Sequence, residues 1–171
     1  MKVFSSQYFE DLVNQASQSD RLRAHANVHG SYTEQCQKLF NAIQVDSYIR
    51  PHRHSLDPKE ECLIAVTGLF GFIVFTDQGF IEDVILFGSE KYSKKLLIPS
   101  GLELPASVWH TVVSLADNSI LFETKSGPFD PTLAKEFALW APEEGGNDAP
   151  QYLETLKQRC LSKLGEIQIQ G

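Results

Sequence analysis

The chain has 171 residues, 42% of them hydrophobic, and a formal net charge of −7 with a pI near 5.2. That length suits one domain with a substantial core, and the acidic balance argues against nucleic acid as the main partner, since such binding draws on Lys and Arg neutralising phosphates. No stretch approaches the roughly 18 apolar residues of a membrane span, and Met1 to Ser6 lacks the apolar core of a secretion signal. Cys36, Cys62 and Cys160 are odd in number and free of CxxC spacing, so neither a disulfide framework nor a zinc knuckle is expected and a cytoplasmic location fits.

In chain order, Tyr8, Phe9, Leu12, Val13 and Ala16 fall on one stripe of a helix over residues 6–17, with Ser5 or Ser6 as cap. Arg21, Arg23, Asn27 and the pair His25 and His29, at helical spacing, read as surface or as the rim of a pocket able to hold a small anion. Residues 36–43 are ambiguous between helix and strand. From Leu39 to Glu123 the chain turns to short β-branched and aromatic runs broken by turn residues, the pattern of a sandwich or barrel. The clearest hairpin pairs residues 69–75 with 80–87 across Asp77-Gln78-Gly79, where Gly79 supplies a positive φ. Residues 143–150 read as a flexible acidic linker. Leu153, Leu156, Cys160, Leu161 and Leu164 mark a closing amphipathic helix that ends near Gly165. The expected division is a single domain over residues 1–142, followed by linker and helix over 143–171.

Within this frame four residues stand out. His52 and His54 are two apart, so on an extended strand both imidazoles share one side while Arg53 faces the other. Pro51 fixes φ just before them and pushes Arg50 toward extended geometry. In Glu61-Cys62-Leu63-Ile64-Ala65, alternation puts the Glu61 carboxylate among apolar residues, a costly place for charge unless it is paired or ligated. His110 follows Pro105 much later in the chain. Imidazole and carboxylate together suit a divalent first-row metal, although an HxH pair alone also fits a loop or a satisfied core pair. Glu60 rivals Glu61, because a one-residue strand shift would exchange them. Glu123 and Lys125 share a strand face and read equally as a solvated pair or as pocket residues with catalytic potential. Trp109 could stack on a sugar ring or pack the barrel. Asn41, Tyr48 and Arg50 read as packing or turn support.

His52-Arg53-His54, Glu61 and Gly68 resemble the first motif of the cupin superfamily, with a slightly longer HxH-to-Glu spacer. Pro105-Ala106-Ser107-Val108-Trp109-His110 resembles the second, with Ser114 in the place of its Asn and Asp46, Pro99 and Ser107 at motif glycines. Leu39-Phe40-Asn41-Ala42, residues 48–54, Trp109-His110-Thr111-Val112 and residues 122–128 are more narrowly similar to the WbuC-type cupin fold metalloproteins, a likeness running from about Ser5 to Pro142. The resemblance implies a mainly β fold, the cupin double-stranded β-helix or jelly-roll barrel, with an N-terminal and a C-terminal helix. It implies a divalent metal, Fe, Zn, Mn or Ni, held by His52, His54, Glu61 and His110. Such proteins are small bacterial cupins, some associated with O-antigen gene clusters. Small cupin barrels are commonly homodimers, and residues 70–75 could offer a partner an edge.

Three activities fit a centre of this kind. The first is isomerisation or epimerisation of a sugar, nucleotide sugar or similar small polar molecule, with the metal as Lewis acid and a base such as Glu123 moving the proton. The second is iron-dependent dioxygenation. The third is non-catalytic recognition of a small ligand by a metal-stabilised barrel.

Overall fold

Ser5 opens the first element: its hydroxyl accepts from the Tyr8 N–H at 3.2 Å, capping helix α1 (Ser6–Gln18). The computed structural model, which describes residues 1–170, then runs through β1 (Arg23–Asn27), β2 (Cys36–Ile43), β3 (His52–Arg53), β4 (Glu61–Thr67), β5 (Leu69–Phe75), β6 (Ile81–Gly88), α2 (Glu90–Leu96), β7 (Gly101–Leu104), β8 (Trp109–Ser114), β9 (Ser119–Ser126), β10 (Glu136–Phe137) and α3 (Ala149–Gln170). The strands form two five-stranded sheets, ordered β1-β2-β9-β4-β7 and β10-β3-β8-β5-β6, with every pairing antiparallel.

Alternation along the strands sorts the apolar residues into three layers. Between the sheets lie Ile43, Leu63, Phe70, Phe72, Phe87, Val112 and Leu121. The outer face of the first sheet takes α1, whose Tyr8, Phe9, Leu12, Val13 and Ala16 pack with Phe40, Ala42 and Ile120. On the outer face of the second sheet, Leu69, Ile73, Phe75 and Val113 meet Leu153, Leu156 and Cys160 of α3. In β5, Phe70 and Phe72 therefore point inward while Leu69, Ile73 and Phe75 point toward the helix, and the run is continuously apolar because both faces are covered. β5 is also flanked by β8 and β6. It is thus no free edge, contrary to the expectation for residues 70–75.

Several local expectations are corrected. Arg23 to Asn27 form a strand, so His25 and His29 are not related by a helical turn. Residues 36–43 resolve to a strand, β2, paired along its length with β9. The hairpin turn forms with Gly79 at φ 86°, but Phe80 lies outside the strand and is exposed. Helix α2 is an element the turn residues Gly88-Ser89 did not foretell. Gly165 does not end the last helix, which continues to Gln170. The acidic segment is tied down: Glu144 accepts from the Arg23 guanidinium and from the Arg50 N–H at 3.2 Å.

Candidate metal centre

Strands β3 and β8 are neighbours, and their register sets His52 directly opposite His110. His54 follows two residues after His52 on the same side. All three imidazoles are buried, with 5%, 6% and 3% of His52, His54 and His110 exposed. One ring nitrogen from each lies within 4.8 Å of the other two. Phe72 stacks on the His110 ring at 5.3 Å. Arg53 faces the other way as expected, lying 4.4 Å over the Trp109 ring and donating to Glu136 at 2.7 Å, which clamps the short strand from outside.

Each imidazole is oriented by the backbone. His52 Nδ1 lies 2.9 Å from the Arg50 carbonyl, His54 Nδ1 2.5 Å from that of Ala134, and His110 Nδ1 2.9 Å from that of Val108. A carbonyl only accepts, so these contacts assign the ring proton to Nδ1 and leave the three Nε2 lone pairs for a ligand, the arrangement of metal-bound histidines. Burial keeps two of the rings neutral: it holds His110 down at about 4 and His52 well below its ordinary value.

Glu61 approaches from the opposite sheet on β4, buried alongside Leu63 and Ala65 while Glu60 is exposed. Its Oε1 accepts from Lys125 Nζ at 2.7 Å and its Oε2 lies 3.2 Å from His54 Nε2. Burial opposes the Glu61 charge, but the His54 contact and the Lys125 ammonium outweigh it and bring the carboxyl well below the usual range. The His54 contact lowers the carboxyl only when Nε2 carries positive charge; with the ring proton on Nδ1 toward the Ala134 carbonyl, Nε2 and Oε2 are instead two acceptors facing one another. That contact is favourable only with positive charge at the same point, and Nε2 is a buried atom without a hydrogen-bond partner. The donor set and this unmet acceptor fit a divalent cation. His52, His54 and His110 form the close group, and Glu61 borders it through His54.

The centre lines one side of a cavity of about 240 Å³ between the sheets. Glu123 and Lys125 both face this cavity, and Asn41 donates to Glu123 Oε1 at 3.1 Å. Burial, reinforced by Glu61, raises the Glu123 carboxyl above its ordinary value. His25 and His29 line the same cavity, away from the three-histidine group. Trp109 packs with Trp140 at 6.0 Å, donates its indole N–H to Asp77 at 3.0 Å and lies outside the cavity lining. The Tyr48 hydroxyl donates to the Pro142 carbonyl at 2.9 Å and Arg50 Nε to that of Ala138 at 3.0 Å, both supporting the segment that crosses the sheet edge.

Sequence reasoning missed Lys135, which projects into the cavity from the approach to β10 although much of the residue is exposed. Burial of its amine lowers its proton affinity, and Glu123 and Glu61 partly restore it. It also missed Phe129 and Tyr32, whose rings meet at 5.1 Å beside the cavity. None of the three lies in a recognisable pattern, because tertiary contact alone brings residues 129–135 over the barrel mouth.

A family model described as a domain of unknown function, DUF6016, matches residues 4–87. No curated protein matches the chain. Among solved structures, an uncharacterized conserved protein with a double-stranded β-helix domain from Klebsiella pneumoniae is similar, at a TM-score of 0.53 and 11% identity over 81% of this chain and 97% of that one. The fold is the cupin double-stranded β-helix. A protein from Shewanella oneidensis is also similar to this cupin-fold chain, at a TM-score of 0.54 and 11% identity over 75% of this chain and 82% of that one. At such identities these likenesses show the fold alone.

Proposed function

We propose that the chain is a metal-dependent cupin enzyme acting on a small polar molecule of the sugar class, with His52, His54, His110 and Glu61 as metal ligands. The carrying observation is the convergence of three buried imidazoles whose Nδ1 atoms are held by backbone carbonyls. A bound divalent cation would supply Lewis acidity toward a hydroxyl or carbonyl oxygen of the substrate. Glu123 is then the proton carrier: it faces the same cavity, Asn41 fixes one of its oxygens, and its raised proton affinity brings it closer to working pH. Lys125 positions Glu61. The apolar wall formed by Leu39, Leu63, Val112 and Leu121 excludes water from the inner side.

This favours isomerisation or epimerisation, in which a C–H proton next to a polarised carbonyl is removed and returned. The cavity volume lies below the roughly 300–1,000 Å³ of drug-sized sites, which suits one sugar-sized unit inside, with any nucleotide part outside the mouth. The resemblance to WbuC-type cupins supports a cytoplasmic role in cell-surface polysaccharide synthesis.

The test is solvent exchange. Metal-loaded protein incubated with a panel of sugars, sugar phosphates and nucleotide sugars in D₂O should place deuterium at a carbon-bound position in at least one of them, read by mass spectrometry. Glu123→Gln should abolish incorporation while retaining the metal. Incorporation that survives complete metal removal would refute the proposal, and oxygen uptake by iron-loaded protein without exchange would replace it with dioxygenation.

A further inference from the structure

Four formal cations line the cavity, Arg21, Arg23, Lys125 and Lys135, against the carboxylates of Glu61 and Glu123, in a chain whose net charge is −7. Two of the four are already engaged. Arg23 binds Glu144 and donates to the Tyr48 carbonyl at 2.9 Å, and Lys125 holds Glu61. Among the described residues, the side chains of Arg21 and Lys135 make neither hydrogen bond nor ion pair. A cationic pair in neither hydrogen bond nor ion pair at the mouth of an acidic protein's cavity has an electrostatic use: it concentrates anions at that entrance.

The two belong to one place. Arg21, His25 and Lys135 line the same cavity and all three are exposed, as at its mouth; burial, then the charges of Arg21 and Lys135, lower the proton affinity of the His25 imidazole. Deeper in the cavity, the Lys38 N–H donates to His29 Nδ1 at 3.0 Å. His29 Nδ1 also lies 2.8 Å from the Lys38 carbonyl, and Nε2 of this residue, 7% exposed, is a buried atom without a hydrogen-bond partner.

We infer that the cavity recognises a small molecule carrying an oxyanion, a carboxylate or phosphate, gripped at the mouth by Arg21 and Lys135 while its uncharged polar part extends toward the histidine centre. Arg21 offers the planar fork that matches an oxyanion in bidentate fashion and Lys135 a mobile point charge. The inference deepens the proposed function by narrowing its substrate class to sugar acids or sugar phosphates, and it rests on that reading only for the ligand's inner end.

The test is a ¹H–¹⁵N NMR titration of the full-length chain, zinc-loaded and metal-stripped, with inorganic phosphate and separately with acetate. Saturable shifts at cavity residues are expected in both forms. Affinity should fall about tenfold, the loss of one charge-assisted contact, in Arg21→Gln and in Lys135→Gln, whose metal content and melting temperature should match the parent. Tighter binding of phosphate than acetate would assign a phosphoryl group, and the reverse a carboxylate. Absence of saturable binding by either anion, or affinities indifferent to both substitutions, would overturn the inference. A chain that takes up no metal yet binds anions through Arg21 and Lys135 would uphold it while removing the metal centre. Metal bound through the histidines without anion recognition would do the opposite.

Discussion

Gly68 and Ser107 occupy positive φ, at 87° and 66°, and substitution should move stability in opposite directions at the two. A Cβ on Gly68 would lie 1.9 Å from Ser119 Oγ and 2.8 Å from Ser119 Cα. Gly68→Ala should therefore cost more than about 2 kcal/mol, combining a left-handed alanine with a backbone clash. Ser107 stands where the cupin motif has glycine and keeps the glycine-like backbone. Ser107→Gly should stabilise by up to about 1 kcal/mol. Denaturant titrations at constant m check both. The same residues show what a sequence displays. Period-two alternation made the shared side of His52 and His54 legible, because strand geometry is a local rule. It left Glu60 and Glu61 open, since a one-residue shift exchanges them, and only the fold buries Glu61 while exposing Glu60. The Arg23–Glu144 pair, 121 positions apart, and the Lys135 amine over the cavity depend on tertiary placement that no local rule carries.

Helix α3 is the element whose docking is easiest to perturb. Leu156 is 1% exposed in the layer against β5 and β8, and Leu156→Ala should cost about 2–5 kcal/mol. Cys160 is fully buried over Gly71, where a Cβ would fall 2.2 Å from its sulfur, and burial pushes its thiol up to about 12. Native protein at pH 8 should alkylate at exposed Cys36 and at Cys160 only after denaturation, read by mass spectrometry. Burial likewise pushes Tyr152 up to about 12. Both groups bind their protons more tightly folded than unfolded. Their contribution is therefore full below the ordinary values of 9.0 and 10.0 and is lost as pH rises from there toward 12. Melting temperature should be level to about pH 9 and then decline. A melting temperature unchanged up to pH 12 would mean that α3 is not docked through these groups. The amphipathic pattern of α3 was readable from sequence. Its end was not: Gly165 sits where a Cβ would meet nothing within 4 Å, and an interior glycine costs only about 1 kcal/mol relative to alanine, too little to stop a helix docked elsewhere along its length. Strand β1 was equally hidden, since its polar residues line a cavity instead of an apolar core.

For the molecule as a whole, the two sheets converge on one point: three histidines come from β8 and the β3 segment, and the carboxylate from β4 of the opposite sheet. A cation there would tie the sheets together, so metal removal should lower the melting temperature by an amount that grows with metal affinity. The most direct measurement is elemental analysis of tag-free protein beside His52→Ala and His110→Ala, each confirmed folded by circular dichroism. About one divalent ion per chain is expected in the parent, falling to background in both variants. Parent protein that stays metal-free after exposure to Fe, Zn, Mn and Ni, or variants that retain the parent's metal content, would contradict a metal centre at these histidines.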